Sequence, residues 1–432
     1  MKVAFHTLGC KVNSYETQAI LEQFQKNGFD IVSFSEISDV YVINTCSVTA
    51  EAARKSRQMI HKCKKLSPDC IVVACGCYVQ EAKENLLEEL GADIVVGNNE
   101  KSAIISLVKD FDENRKRCAR IDDLTHCREY EPQDISYQTG HVRAYVKIQD
   151  GCNRFCSYCI IPFLRGRSRS RQMADVEKEV RTLAENGYKE VVLTGIDISD
   201  YLGNGPEKLI ELIEVINEID GIERIRLGSL ELSLITDDFV KRLSECKKVC
   251  PQFHLSLQSG CDETLKRMNR KYTASEYLDA LSLIRQKFDN PAITTDIIVG
   301  FVGETEEEFN KSKDFAVAAG FAAVHVFPYS RRKGTRADLM PGQLTKAQKA
   351  ERVDSMMEVT DMLEERYVNC QIGKDTKILI EEEVEINGVN YQIGFSENYI
   401  KCGIKMDENS VNKIVTIKPQ KAIRFKNEWI LV

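Results

Sequence analysis

Residues 149–171 read QDGCNRFCSYCIIPFLRGRSRSR. Within them Cys152, Cys156 and Cys159 form a CxxxCxxC triplet placed directly after a strand-like run, YVKIQD. Five more such runs follow, EVVLTG, RIRLGSL, FHLSLQS, ITTDIIVG and AAVHVFPYS, separated by helical stretches. One helix shows the period plainly. Leu209, Leu212, Ile213, Ile216 and Ile219 recur at helical spacing after Pro206, a residue suited to a first turn. Six β/α units predict a partial TIM-type barrel over residues 140–368, with its chemistry at the carboxyl ends of the strands.

The triplet sits where that chemistry belongs. Three thiolates on one loop can bind three irons of a four-iron, four-sulfur cubane, and no fourth cysteine follows within reach on the loop. A structural zinc site would want four ligands and more usually paired CxxC motifs. An iron left open is what S-adenosylmethionine (SAM) needs for chelation by its amino and carboxylate groups. One electron from the cluster then cleaves SAM to a carbon-centred radical, chemistry that the cofactor carries and the protein orients.

Upstream, KVAFHTLGC, a polar helix to Gly28, YVINTCS, a helix to Leu66, CIVVACGC, a helix to Leu90 and ADIVVG alternate β and α. This predicts a doubly wound parallel sheet over residues 1–112. Cys10, Cys46 and Cys77 each fall at the carboxyl end of a strand, where ligands gather in open α/β sheets, so three separate strand ends can converge on a second cluster. Cys75 lies two residues from Cys77 and by strand alternation points the same way, so position leaves both open. The remaining nine cysteines read as packing. His254 and His325 lie within predicted strands, without a catalytic partner that the sequence reveals. Residues 113–139 are charged and contain Pro132, as a linker would.

Beyond a polar helix, residues 371–432 break into short β-type runs with turns such as Asn387-Gly388, the pattern of a small all-β barrel of the sort that often binds nucleic acid. The net charge of −7 carries no global sign of nucleic-acid binding, but the charge is uneven. Arg143, Lys147, Arg154, Arg165, Arg167, Arg169 and Arg171 are opposed only by Asp150 across the triplet region, and Arg331, Arg332, Lys333 and Arg336 form a second run. Lys413, Lys418, Lys421, Arg424 and Lys426 form a third without an acid. With 16 cysteines, no apolar run long enough for a membrane span and no secretory leader pattern, the expectation is a cytoplasmic protein whose thiols serve metal rather than disulfides.

HTLGCKVNSYET, VINTCSVTAEAARKSRQ, GCYVQ, the triplet loop, LTG, LQSG with the following KRMNRKYT, DIIVGFVGETEEEF and HVFPYSRRKGTRA together resemble the radical SAM methylthiotransferases over nearly the whole chain. The opening LGCKVN is similar to the branch acting on N6-threonylcarbamoyladenosine in tRNA. GFSENYIKC resembles that family's RNA-binding TRAM domain less sharply. The resemblance implies a first four-iron cluster on Cys10, Cys46 and Cys77, the last chosen because GCYVQ matches the family's third ligand motif, and a second on Cys152, Cys156 and Cys159. It also implies one SAM as methyl donor and another as radical source, with the methylthio group replacing hydrogen at C2 of the adenine at position 37. An electron donor such as a flavodoxin or ferredoxin, and a sulfur source, are implied partners. Isopentenyladenosine in tRNA or a ribosomal-protein aspartate is the alternative target; a non-catalytic iron-sulfur RNA-binding protein is a distant one.

Ser256, Gly228, Cys261, Val302 and the Ile196-Asp197 continuation of LTG depart from the family pattern without removing a cluster ligand. Thr194, Gly195, Ser229, Glu231, Gln258 and Asp296 are strand-end candidates for SAM, and Tyr158 for packing against its adenine. No general acid or base stands out. Arg165, Arg167, Arg169 and Arg171, if extended, project together as a phosphate-facing row, and the five basic residues from Lys413 to Lys426 give the small barrel a positive face for a tRNA anticodon arm.

Overall fold

The computed structural model describes residues 1–432 except 84, 202–207 and 406–408. Pro206 lies outside the described residues. Strands Val40–Thr45 and Ile71–Gly76 are buried along their whole length, as central parallel strands covered on both faces must be. They belong to a six-stranded parallel sheet in the order Asp30–Val32, Lys2–Thr7, Val40–Thr45, Ile71–Gly76, Ile94–Val96, Cys118–Arg120. The two outermost strands are three residues long and show no periodicity in sequence.

Cys118–Arg120 falls inside the stretch that composition marks as a linker, and the rest of that stretch is strapped down rather than free. The Ser136 amide donates to Glu22 at 2.8 Å, and Ile135 is buried in the core of the barrel. Helix Lys11–Lys26 explains this. It places Ile20 and Phe24 in the core of the amino-terminal sheet and Tyr15 and Ala19 in the core of the barrel. Its many polar residues are therefore buried between two apolar bodies, with Asn13, Glu16, Gln18 and Glu22 all below 4% exposed.

Strand Arg143–Lys147 pairs in parallel with Glu190–Thr194, which pairs with Arg224–Leu227. Parallel bridges Ile225 to Val249 and Leu230 to Leu255 carry the curvature on to Gln252–His254, Ala292–Val299 and Ala323–Pro328. The six expected units are thus present as a partial barrel. Thr236, Thr273 and Thr305 cap three of its outer helices. Thr273 with Glu276 and Thr305 with Glu308 form capping boxes on Ala274–Lys287 and Glu306–Ala319.

The carboxyl-terminal strands form a second six-stranded sheet, in the order Ile414–Ile417, Thr376–Ile386, Val389–Ser396, Lys401–Ile404, Glu428–Leu431, Ala422–Phe425. All its pairings are antiparallel except Lys401–Ile404 with Glu428–Leu431. It docks where the barrel strands begin. Arg224 and Arg226 donate to the Phe395 and Glu397 carbonyls at 2.9 and 3.0 Å, and Arg143 lies over the Phe395 and Tyr399 rings at 4.8 and 5.2 Å. No helix among the described residues is long and apolar enough to cross a membrane.

Candidate functional site

Cys10, Cys46 and Cys77 converge because the chain turns sharply after each strand. Gly9, at φ +113°, lets the Cys10 loop pass so close to Cys46 that a Cβ at Gly9 would lie 3.1 Å from the Cys46 sulfur. Gly76, at φ +97°, ends its strand against Asn44 and Thr45, where a Cβ would come within 2.5 Å of the Asn44 Oδ1. That turn also separates the two thiols the alternation rule left together. Cys75 faces the sheet core with Val42 and Val73, whereas Cys77 faces Ile160 and Leu164 of the triplet loop. Burial raises the Cys10 and Cys46 thiols, and Cys77 lies near enough to both to add to the rise.

Asn13 holds this corner together. Its amide donates to the Leu8 and Thr45 carbonyls at 2.7 and 3.0 Å, while its oxygen accepts from Arg165 at 2.8 Å. Asn98 makes a second tie, donating to the Leu164 carbonyl at 2.9 Å and to the Cys77 sulfur at 3.6 Å. Neither asparagine stood out in the sequence, since the partners of each are scattered along the chain.

Cys152, Cys156 and Cys159 occupy the neighbouring loop, and burial pushes the Cys152 and Cys159 thiols up to about 12. Arg270 donates to the Cys156 sulfur at 3.2 Å and to Glu231 at 2.6 Å. Cys156, Glu231 and Arg270 line a cavity of 780 Å³ together with Asn153, Arg154 and Asp197. Among the described residues, only His254, Asp296 and His325 bring three ligand atoms within 4.8 Å of one another; the thiols of neither triplet do. A tetrahedral zinc with Zn–S of about 2.3 Å would need sulfurs roughly 3.8 Å apart. The wider spread suits a cubane, in which each thiolate meets its own iron.

A second cavity, of 450 Å³, occupies the barrel lumen and is lined by Lys11, Ser229, His254, Asp296, His325 and Tyr399 among others. The candidate SAM contacts therefore divide. Glu231 lies beside the triplet, but Ser229 and Asp296 face the lumen, where Asp296 meets the His254 Nε2 at 3.5 Å. Thr194 is buried, Gly195 packs on Gln149, and Gln258, at φ +71°, bridges to Ile297; none of the three lines either cavity. Tyr158 packs edge-on against Phe301 at 6.3 Å. Arg154, Asp197 and Arg270 were missed by sequence reading, though Arg270 lies within KRMNRKYT.

The arginine row is corrected by the structure. Arg165 is 0% exposed and donates to Glu16 and Asp150 at 2.9 and 3.1 Å. Arg169 donates to the Arg165 carbonyl at 2.7 Å, and Arg171 pairs with Glu179 and Asp134. These three are internal ion-pair partners, withheld from phosphate, and only Arg167 is left partly open, over the Phe155 ring at 4.5 Å. Arg332 is likewise buried against Glu81. Burial by itself would raise the Glu16 carboxyl, but Arg165, Lys101 and Lys147 outweigh it and hold it well below the usual carboxylate range. Asp150 is lowered in the same way, burial being overcome by Arg165, Lys147 and Arg169. In the carboxyl-terminal sheet, Lys413, Lys418, Lys421, Arg424 and Lys426 are exposed. Lys418 and Lys421 line a groove of 490 Å³ with Lys405 and Tyr391.

Residues 146–316 match the pattern of the Radical SAM superfamily, and residues 2–97 that of Uncharacterized protein family UPF0004. The chain is 40% identical to the threonylcarbamoyladenosine tRNA methylthiotransferase MtaB of Bacillus subtilis over 428 residues, covering 97% of this chain and 94% of that protein. It is 36% identical to the protein of the same name from Aquifex aeolicus, covering 93% and 98%. A tRNA-2-methylthio-N(6)-dimethylallyladenosine synthase of Clostridium tetani is 32% identical, covering 98% and 94%. Among solved structures, the radical S-adenosylmethionine methyltransferase TsrM of Kitasatospora setae superposes with a TM-score of 0.58 at 16% identity, covering 78% and 76%, a likeness of fold.

Proposed function

The chain belongs to the radical SAM tRNA methylthiotransferase family, and we propose that it places a methylthio group at C2 of N6-threonylcarbamoyladenosine at position 37, beside the tRNA anticodon. The observation that carries this is the junction of two cysteine triplets on separate domains, tied by Asn13, Asn98 and Arg165. A radical enzyme with a single task needs one triplet. A second, held against the first by a buried ion-pair network, supplies a place for sulfur.

When bound, two four-iron clusters and SAM supply the electron, the carbon radical and the methylated sulfur that an unactivated C2–H requires. The chain's own residues supply position. Cys152, Cys156 and Cys159 hold one cluster and Cys10, Cys46 and Cys77 the other. Arg270, bonded to the Cys156 sulfur and Glu231, fixes the wall of the cavity in which SAM sits, as partners behind metal ligands do. Arg165 and Asn13 keep the two sets in register. We assign residues 371–432 as the TRAM domain, whose lysine-lined groove grips the anticodon arm while the base is unstacked toward the barrel. Work in the cytoplasm, with a flavodoxin- or ferredoxin-type reductant and an external sulfur source, completes the reading.

The test is nucleoside mass spectrometry of tRNA from cells lacking the protein. Loss of the 2-methylthio form, with threonylcarbamoyladenosine accumulating, is expected; its persistence, with no second enzyme of this kind present, refutes the assignment.

A further inference from the structure

We infer that the barrel lumen reads the acidic N6 substituent of the substrate, and that Lys11 is the counter-ion for its carboxylate. This rests on the substrate reading above and names the part of the substrate that the site recognises. A threonylcarbamoyl group carries a carboxylate, a hydroxyl and a ureido link; an isopentenyl group carries only hydrocarbon. The lumen cavity, 450 Å³ in volume, falls within the roughly 300–1,000 Å³ usual for ligand sites.

Its wall is built for the former. His254 bonds Thr294 through Nδ1 at 3.0 Å and turns Nε2 toward Asp296, while the His325 ring stacks over His254 at 6.0 Å. Three hydrogen-bonding side chains thus share one wall. The cations differ in their pairing. Arg226 is matched by Glu190 at 2.9 Å and Lys401 by Glu428 at 2.9 Å. Lys11 lines the same cavity, and among the described residues no carboxylate lies within 4.0 Å of its ammonium. The acids lining this cavity are otherwise engaged, Asp296 with His254 and Glu428 with Lys401, while burial raises the Glu364 carboxyl. The partly exposed Lys11 ammonium therefore favours an anionic guest and gains nothing from an alkyl one. The first turn of helix Lys11–Lys26 contains no acid, so its end adds to the positive field.

Position gives the pairing its use. Lys11 directly follows Cys10, so a carboxylate seated on its ammonium anchors the substrate beside the first cysteine set, and the ring reaches toward the junction between the two triplets.

The experiment uses the full chain with both clusters assembled and two anticodon stem-loop RNAs, one carrying threonylcarbamoyladenosine and one its carboxylate methyl ester. The wild-type protein is expected to favour the acid in kcat/KM, and Lys11→Met to lose about 30-fold on the acid, mainly in KM, with little change on the ester. Lys11→Arg should keep most of the preference. Should Lys11→Met lose iron, the same ratio is read on Lys11→Gln. A wild-type acid-to-ester ratio in the fully loaded neutral variant overturns the role of Lys11. A wild-type protein that ignores the acid substrate and converts an isopentenyladenosine RNA overturns the substrate reading and this inference with it.

Discussion

Arg165, on the loop that carries Cys152, Cys156 and Cys159, donates to the Glu16 carboxylate of the amino-terminal domain at 2.9 Å, and both side chains are buried. Glu16 also receives Lys101 at 2.6 Å and Lys147 at 2.7 Å. One carboxylate thus collects cations from both domains and sets the distance between two cysteine triplets.

Glu16→Gln leaves those three cations short of a counter-charge inside the protein. Removing one partner of a buried ion network costs about 3–5 kcal/mol. Denaturant unfolding of the holoprotein should show a loss of this size; an unchanged midpoint would mean that the network is solvated.

The same network fixes an acid response. The folded-state values of Glu16 and Asp150 lie below their unfolded ones, so their contribution is complete above the ordinary carboxylate range and is lost as pH falls through the folded values. Unfolding free energy from these groups should therefore hold level from neutral pH to the ordinary carboxylate range and fall below it. Urea titrations across pH should show a shallower acid limb in Glu16→Gln, and an equal slope would contradict the assignment.

Cys77 and Cys75 make a matched pair for iron counting. Cys77→Ala should lose the iron and sulfide of one cluster, whereas Cys75→Ala should keep both and lose only about 1–2 kcal/mol of core packing. The reverse pattern would transfer the ligand role to Cys75.

Arg270 touches both the Cys156 sulfur and Glu231. Arg270→Met should reduce reductive SAM cleavage by roughly 10- to 100-fold, as loss of a partner behind a metal ligand does. Cleavage at the wild-type rate would remove Arg270 from the site.

Neutralising Lys405, Lys418 and Lys421 together should weaken tRNA binding and flatten the dependence of log K on log salt by roughly 2–3. The gentler substitution is preferable to truncation because Arg143, Arg224 and Arg226 of the barrel dock on the carboxyl-terminal sheet. An unchanged salt slope would place the RNA elsewhere.

The central strands and the placement of Cys10, Cys46 and the triplet after strands were legible because each depends on local pattern: apolar runs that end in a cysteine, and a triplet on one loop. The arginine row was misread because alternate arginines in an extended segment look like a surface row. Instead, Arg165 is buried against Glu16, 149 residues away, and Arg169 and Arg171 turn onto Asp150, Asp134 and Glu179 of their own neighbourhood. The polar character of helix Lys11–Lys26 hid its place between two cores. Cys75 and Cys77 were inseparable by alternation because only the turn at Gly76 breaks it. Lys11 was visible as part of LGCKVN, but its lumen-facing role needs strands Gln252–His254, Ala292–Val299 and Ala323–Pro328 side by side.

The most direct test is a reaction of the purified holoprotein with SAM, a reductant and a sulfur source on anticodon stem-loops carrying either threonylcarbamoyladenosine or isopentenyladenosine, read by nucleoside mass spectrometry. The account predicts a methylthio group at C2 of threonylcarbamoyladenosine and little on the other RNA. Methylthiolation of isopentenyladenosine instead, or SAM cleavage with no sulfur transferred to either, would contradict it.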